Sequence, residues 1–133
     1  MDQLIDIEIV NSIRDVGDMS ENDGFAEELL KLFVEQSELA VRSIGEATAR
    51  ADFDVVKYYA HRLKGSAANV GARQLSRKAS ELEELAKDGA LDEDRVRVLL
   101  DELSQVREAS LTELRRLFGT AESAGASGSF PPC

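Results

Sequence analysis

The stretch Ala60-His61-Arg62-Leu63-Lys64-Gly65-Ser66-Ala67-Ala68-Asn69-Val70-Gly71 decides how the chain folds. Apolar side chains recur up to and through it at alternating intervals of three and four: Phe53, Val56, Ala60, Leu63, Ala67 and Val70. That spacing makes one buried stripe on an α-helix. With successive residues roughly 100° apart, His61 falls about 130° from the middle of the stripe. The single histidine of the chain therefore points to solvent or to the edge of a groove. Lys57 and Tyr58 lie one turn before it on the same surface, and Lys64, Gly65 and Ala68 follow. A glycine inside a helix costs about 1 kcal/mol against alanine. Gly65 sits on the histidine's face, where losing a side chain leaves room for something to approach.

The same period extends in both directions. Asp52 is an N-cap for the histidine helix, and Gly71 is suited to end it in the left-handed conformation. Before it, a helix is predicted from about Gly24 to Arg50, with Phe25, Leu29, Leu32, Phe33, Leu39, Ala40, Ile44 and Ala47 as its stripe and Gln36 interrupting it. A shorter helix from about Asp6 to Val16 carries Ile5, Ile9, Ile13 and Val16 and is stopped by Gly17. It is marginal alone and is expected to pack across one end of a larger bundle, joined to it by the polar stretch Asp18 to Gly24. After the histidine helix, Leu75, Ala79, Leu82 and Ala86 face inward on a helix from about Ala72 to Asp88, ended by Gly89. Asp92 caps a last helix from about Glu93 to Phe118, apolar along one side from Val96 to Leu117 and stopped by Gly119. Short connections between long amphipathic helices make neighbours antiparallel. The expected fold is all-α: an antiparallel up-down four-helix bundle with an additional short N-terminal helix. It occupies residues 1–119, and 120–133, rich in Gly and Ser and closing on Pro131-Pro132-Cys133, reads as a disordered tail or the start of a linker.

Composition narrows the function. The formal net charge is −10, with 26 acidic and 16 basic residues, which argues against nucleic acid as a partner. No long apolar run or basic leader is present, so neither a membrane segment nor a signal peptide is expected and the cytoplasm is the default compartment. Cys133 is the only cysteine and cannot form an internal disulfide, and no cluster has metal-ligand spacing. Between Val55 and Ser80 there is no Asp or Glu, while Lys57, Arg62, Lys64, Arg73, Arg77 and Lys78 fall inside that window. A positive field around the one histidine of an acidic chain suits a phosphoryl group and an acidic partner.

Neutral imidazole is a nucleophile near pH 7, and phosphoryl transfer asks little more of a protein than an in-line nucleophile and compensation of the phosphoryl oxygens. Other mechanisms fail on inventory. No second histidine or nearby cysteine completes a triad, and no Gly-x-x-x-x-Gly-Lys loop or ATP-binding module fits. A phosphoryl group on His61 must come from another protein or domain. His61 would attack through one ring nitrogen, taken as Nε2, while the other carries a proton that needs an acceptor; Glu83 on the following helix is the candidate. Lys64 would offset phosphoryl charge, and Gly65 would admit the partner's active-site rim.

His61, Lys64, Gly65 and Gly71 reproduce the His-x-x-Lys-Gly core, with a glycine six residues on, of histidine phosphotransfer (HPt) domains. The chain resembles that family from about Phe25 to Gly89, including Ala51-Asp52-Phe53 before the histidine helix and Leu82-Glu83 after it. The resemblance implies a phosphorelay intermediate that exchanges a phosphoryl group between His61 and an aspartate of a response-regulator receiver domain, with a histidine kinase or kinase domain as the source. No cofactor is expected on this chain, Mg²⁺ being held by the receiver. It further implies that Glu83 holds the imidazole, as in chemotaxis-kinase domains, and that Gln36 lies near His61. The partner surface would comprise Lys57, Tyr58, Arg62, Lys64, Gly65, Ala68 and Gln36, with Ala68, Tyr58 and the stem of Lys64 at its dry centre. Three alternatives stand beside it: the phosphorylated N-terminal module of a chemotaxis-type histidine kinase, a non-catalytic helical adaptor with His61 incidental, and a small helical enzyme using its acids as bases.

Overall fold

The computed structural model describes residues 3–19, 24–88 and 92–118. Among them are five helices and no strand: α1 (Ile7–Met19), α2 (Phe25–Ala49), α3 (Phe53–Asn69), α4 (Arg73–Lys87) and α5 (Glu93–Leu117). Helices α2 to α5 pack as a ring of neighbours, α2 on α3, α3 on α4, α4 on α5 and α5 back on α2, while α1 leans on α2. This is the expected up-down bundle with its extra helix. The stops assigned to Gly89 and Gly119, most of the connection after α1, and the segment 120–133 lie outside the described residues.

The core is filled by the stripes that the period predicted for α3 and α4. Val56, Ala60, Leu63, Ala67 and Val70 meet Leu75, Ala79, Leu82 and Ala86, all buried. Phe33, Ile44, Leu103 and Leu114 complete it from α2 and α5. Each such leucine, isoleucine or phenylalanine contributes about 1.5–3 kcal/mol of burial. Asp52 caps α3 by accepting from Val55 N at 3.4 Å, and Asp92 caps α5 by accepting from Asp94 N at 3.0 Å.

Two helices depart from expectation. Gly17 does not end α1 but lies buried within it, and the inward positions are Val10, Ile13 and Gly17 while Val16 is 51 % exposed. On α2 the inward stripe is Leu30, Phe33, Ser37, Ala40, Ile44 and Ala47, whereas Leu32 and Leu39 are 48 % and 45 % exposed. The polar Ser37 belongs to the core because Arg107 of α5 reaches it. Arg107 Nε donates to Ser37 Oγ at 2.7 Å and its Nη2 donates to the Val34 carbonyl at 3.1 Å, so the buried hydroxyl is satisfied and α2 is tied to α5.

Both corners flanking α3 use one motif. After α2, Asp52 N donates to Ala47 O and Ala51 N to Thr48 O; after α3, Ala72 N donates to Ala67 O and Gly71 N to Ala68 O. This paired closure needs a left-handed residue after the cap, supplied by Ala51 at φ 57° and Gly71 at φ 82°. The second corner also anchors the chain's start. Asp6 N donates to Gly71 O at 2.7 Å, Gln74 N to Leu4 O at 3.3 Å, and Arg73 Nη2 to Asp6 Oδ2 at 2.8 Å. Asp6 also caps α1, its Oδ1 accepting from the N–H of Glu8 and of Ile9. A Cβ on Gly71 would stand 2.9 Å from Asp6 O and 3.2 Å from Ile9 Cβ. Gly71→Ala is therefore expected to lower stability by about 1–3 kcal/mol. Gly45→Ala, whose Cβ would meet only Leu100 Cδ2 at 3.7 Å, is expected to raise it by up to about 1 kcal/mol. Urea denaturation of the two variants beside the parent checks both signs.

Candidate functional site

Helix α3 carries His61 on the side turned toward α4, away from the buried Ala60 and Leu63. The imidazole side chain is 66 % exposed. One step round α4 from the inward Leu82, Glu83 is buried at the seam between the two helices. Its Oε2 lies 2.8 Å from His61 Nδ1, and its Oε1 accepts from Lys64 Nζ at 2.7 Å. The Lys64 ammonium, opposed by burial and assisted by the His61 hydrogen bond, holds the Glu83 carboxyl below the usual carboxylate range. Glu83 is thus an ionised acceptor, and Nδ1 must be the donor. The neutral ring then has its proton on Nδ1 and a lone pair on Nε2, a nitrogen with no protein partner among the described residues. The turn is fixed from α4 a second time, for Ser76 Oγ donates to the Lys64 carbonyl at 2.9 Å.

The remaining candidates spread along nearly the whole of α3, with Gln36 on α2. Gly65 is exposed, and a Cβ there would meet nothing within 4 Å. Lys57, Tyr58 and Ala68 are exposed. Arg62 is turned back onto Tyr58, donating to its hydroxyl at 2.8 Å with Cζ 5.6 Å from the ring centroid. Gln36 makes no hydrogen bond to His61. It lines a groove of about 300 Å³ between α2 and α3 together with Leu39, Tyr59, Arg62, Gly65 and Asn69, continued along the seam by Leu29, Leu32 and Val70. Leu32 and Leu39, assigned to the core by period, instead give this groove an apolar wall. Ser66 and Asn69, absent from the candidates, line it from α3. Their polar character at outward positions carried no signal.

The acid-free window of sequence is not an acid-free surface. Lys64 is paired with Glu83 at 2.7 Å, Arg73 with Asp6 at 2.8 Å, and Lys78 with Glu102 at 3.0 Å and Glu81 at 3.8 Å. No described helix is long and apolar enough to cross a membrane.

Residues 28–109 match the Hpt domain family. The chain is 36 % identical over 86 residues to the phosphorelay protein LuxU of Vibrio vulnificus, a match covering 63 % of this chain and 75 % of that protein. Among solved structures it resembles the histidine-containing phosphotransfer protein HptB of Pseudomonas aeruginosa PAO1, at 29 % identity with a TM-score of 0.72 over 90 % of this chain and 95 % of that one. The fold is shared as well with Ypd1p, at 15 % identity, a TM-score of 0.68, and coverage of 90 % and 93 %.

The lowered Glu83 carboxyl has a stability consequence. A carboxylate depressed in the folded state contributes stability above its unfolded value, and that contribution is lost as pH falls through the folded one. Glu83→Gln is expected to be less stable than the parent at neutral pH. The gap should close as pH falls through and below the usual carboxylate range, measured as the difference in urea midpoints across a pH series.

Proposed function

The chain belongs to the Hpt domain family, whose members pass phosphoryl groups in two-component signalling, and on that premise we propose that His61 is the residue that carries the phosphoryl group here. The contact of Nδ1 with the ionised Glu83 is the observation that supports this most. It leaves Nε2 as the attacking atom and orients the ring without occupying that nitrogen. In the forward step the Nε2 lone pair forms an N–P bond as the bond from phosphorus to the carboxylate oxygen of a receiver aspartyl phosphate breaks, the electron pair leaving with the aspartate. The proton remains on Nδ1, where Glu83 compensates the positive charge that the ring acquires. Return of the group reverses each bond change. Mg²⁺ belongs to the receiver's acidic site, and a kinase, directly or through a receiver, is the phosphoryl source.

The receiver docks, in this reading, over Gly65 and the α2–α3 groove. Leu32 and Leu39 supply the apolar centre there, with Gln36, Tyr58 and Arg62 around it, while Ala68 lies apart from the groove, in a hollow shared with Asp6, Ile9 and Ser76. This shifts the dry centre from Ala68 and the Lys64 stem toward α2. Lys64 acts through Glu83, keeping the carboxylate ionised and in place.

Two variants test the assignment. His61→Gln should fold as the parent does, since the side chain stands clear of the core, and should take up no phosphoryl group from a phosphorylated receiver. Continued labelling of that variant would remove His61 from the reaction. Gly65→Gln should match or exceed the parent in thermal stability, glycine being the poorer helix former by about 1 kcal/mol. It should nevertheless transfer at least tenfold more slowly, because the new side chain stands in the path of the receiver; transfer at the parental rate would show that Gly65 does not mark the docking path.

A further inference from the structure

Two cations on the histidine's helix are engaged before a phosphoryl group arrives. A group on Nε2 brings two negative charges to a surface where Lys64 is already held by Glu83 at 2.7 Å and Arg62 is folded back on Tyr58. On the stripe that His61 shares with Lys64, Lys57 remains. It is four residues before the histidine, exposed, and makes no ion pair or hydrogen bond among the described residues. Asp54, the nearest acid earlier on the same helix, does not pair with it. Side chains four apart on a helix are neighbours, about 5–6 Å between Cβ atoms. A helical side chain leans over the turn N-terminal to its own Cα, so the imidazole of His61 lies toward the turn holding Lys57, while the Lys57 stem leans the same way and must fold back to reach it. The lysine stem has the length and freedom to follow a group that arrives on the outer nitrogen.

We propose that Lys57 is a second cation that meets the phosphoryl oxygens on His61 Nε2, beside Lys64, one of whose three N–H donors is taken by Glu83. The proposal rests on His61 carrying the group. Lys57 neither gives nor takes a proton. The N–P bond forms and the acyl P–O bond breaks as described above, and the ammonium stays charged throughout, compensating oxygens whose charge the transfer delivers to this protein.

A docking charge and a phosphoryl-compensating charge differ in what they can change. A residue that only steers the receiver alters forward and reverse rates together, and it leaves unchanged the equilibrium division of phosphoryl group between the two free proteins. A residue that contacts the group in the phosphorylated chain stabilises one side of that equilibrium alone. The experiment is therefore a partition measurement: labelled receiver phosphate is incubated with the parent, Lys57→Gln or Lys57→Arg until the ratio of label is constant. Lys57→Gln should move the ratio toward the receiver by about two- to fivefold, the range of an exposed ion pair. Lys57→Arg should restore it, and high salt should narrow the difference. A ratio unmoved by Lys57→Gln, whatever happens to the rates, overturns the proposal, as does an equal shift in Lys57→Arg. Absence of label from the parent would sink the phosphohistidine reading and this proposal together, whereas a labelled parent with an unmoved ratio sinks only this one.

Discussion

A carboxylate placed between two helices has to be bound on both oxygens or it destabilises the seam it occupies. Glu83 is bound on both, by the histidine on one side and the lysine one turn further along α3 on the other. That arrangement sets the register of α4 against α3. Sliding either helix by one turn would leave a buried charge unpaired, at a cost larger than any single apolar contact in the seam. The small side chains Ala60, Ala67 and Ala79, all fully buried, let the two helices approach, and the Ser76 hydroxyl on the Lys64 carbonyl pins the same turn. The geometry that orients the imidazole is thus also part of what packs the bundle.

Much of this was legible in the chain, and the parts that were not share a cause. Helix α3 came out as its period dictated because every inward position is apolar and both ends carry a cap signal. Helix α2 bears two stripes. One runs Leu30, Phe33, Ser37, Ala40 and Ile44; the other runs Phe25, Leu29, Leu32, Gln36 and Leu39. Each contains one polar residue at a helical interval, so periodicity alone merges them. What separates them is Arg107, seventy residues from Ser37, which makes a serine acceptable in the core and releases the leucines to the surface.

The charge pattern shows the same limit. A window without acids predicts a positive patch only if no other element delivers acids to it, and Glu83, Asp6, Glu81 and Glu102 all arrive from outside it. The histidine motif was readable because its parts lie within one helix. The state of its lysine was not, because the partner sits on the next one. A local motif specifies which residues stand together on a face, and the packing decides which of their charges are already spent.

The tether between the chain's start and the α3–α4 corner bears on how the molecule assembles. Its hydrogen bonds join Asp6 and Arg73, residues 67 apart, and the backbone bond from Asp6 to Gly71 spans almost as much chain. Helices consecutive in the bundle pair across corners of a few residues, so their loops close at small entropic cost, while the packing of α5 on α2 encloses α3 and α4 and the N-terminal contact encloses α2 and α3 entire. It forms only once those helices are in place to receive it. Ile5 and Val10 join the core cluster and Leu4 packs against it, so burial as well as hydrogen bonding offsets the entropy of closing that long loop.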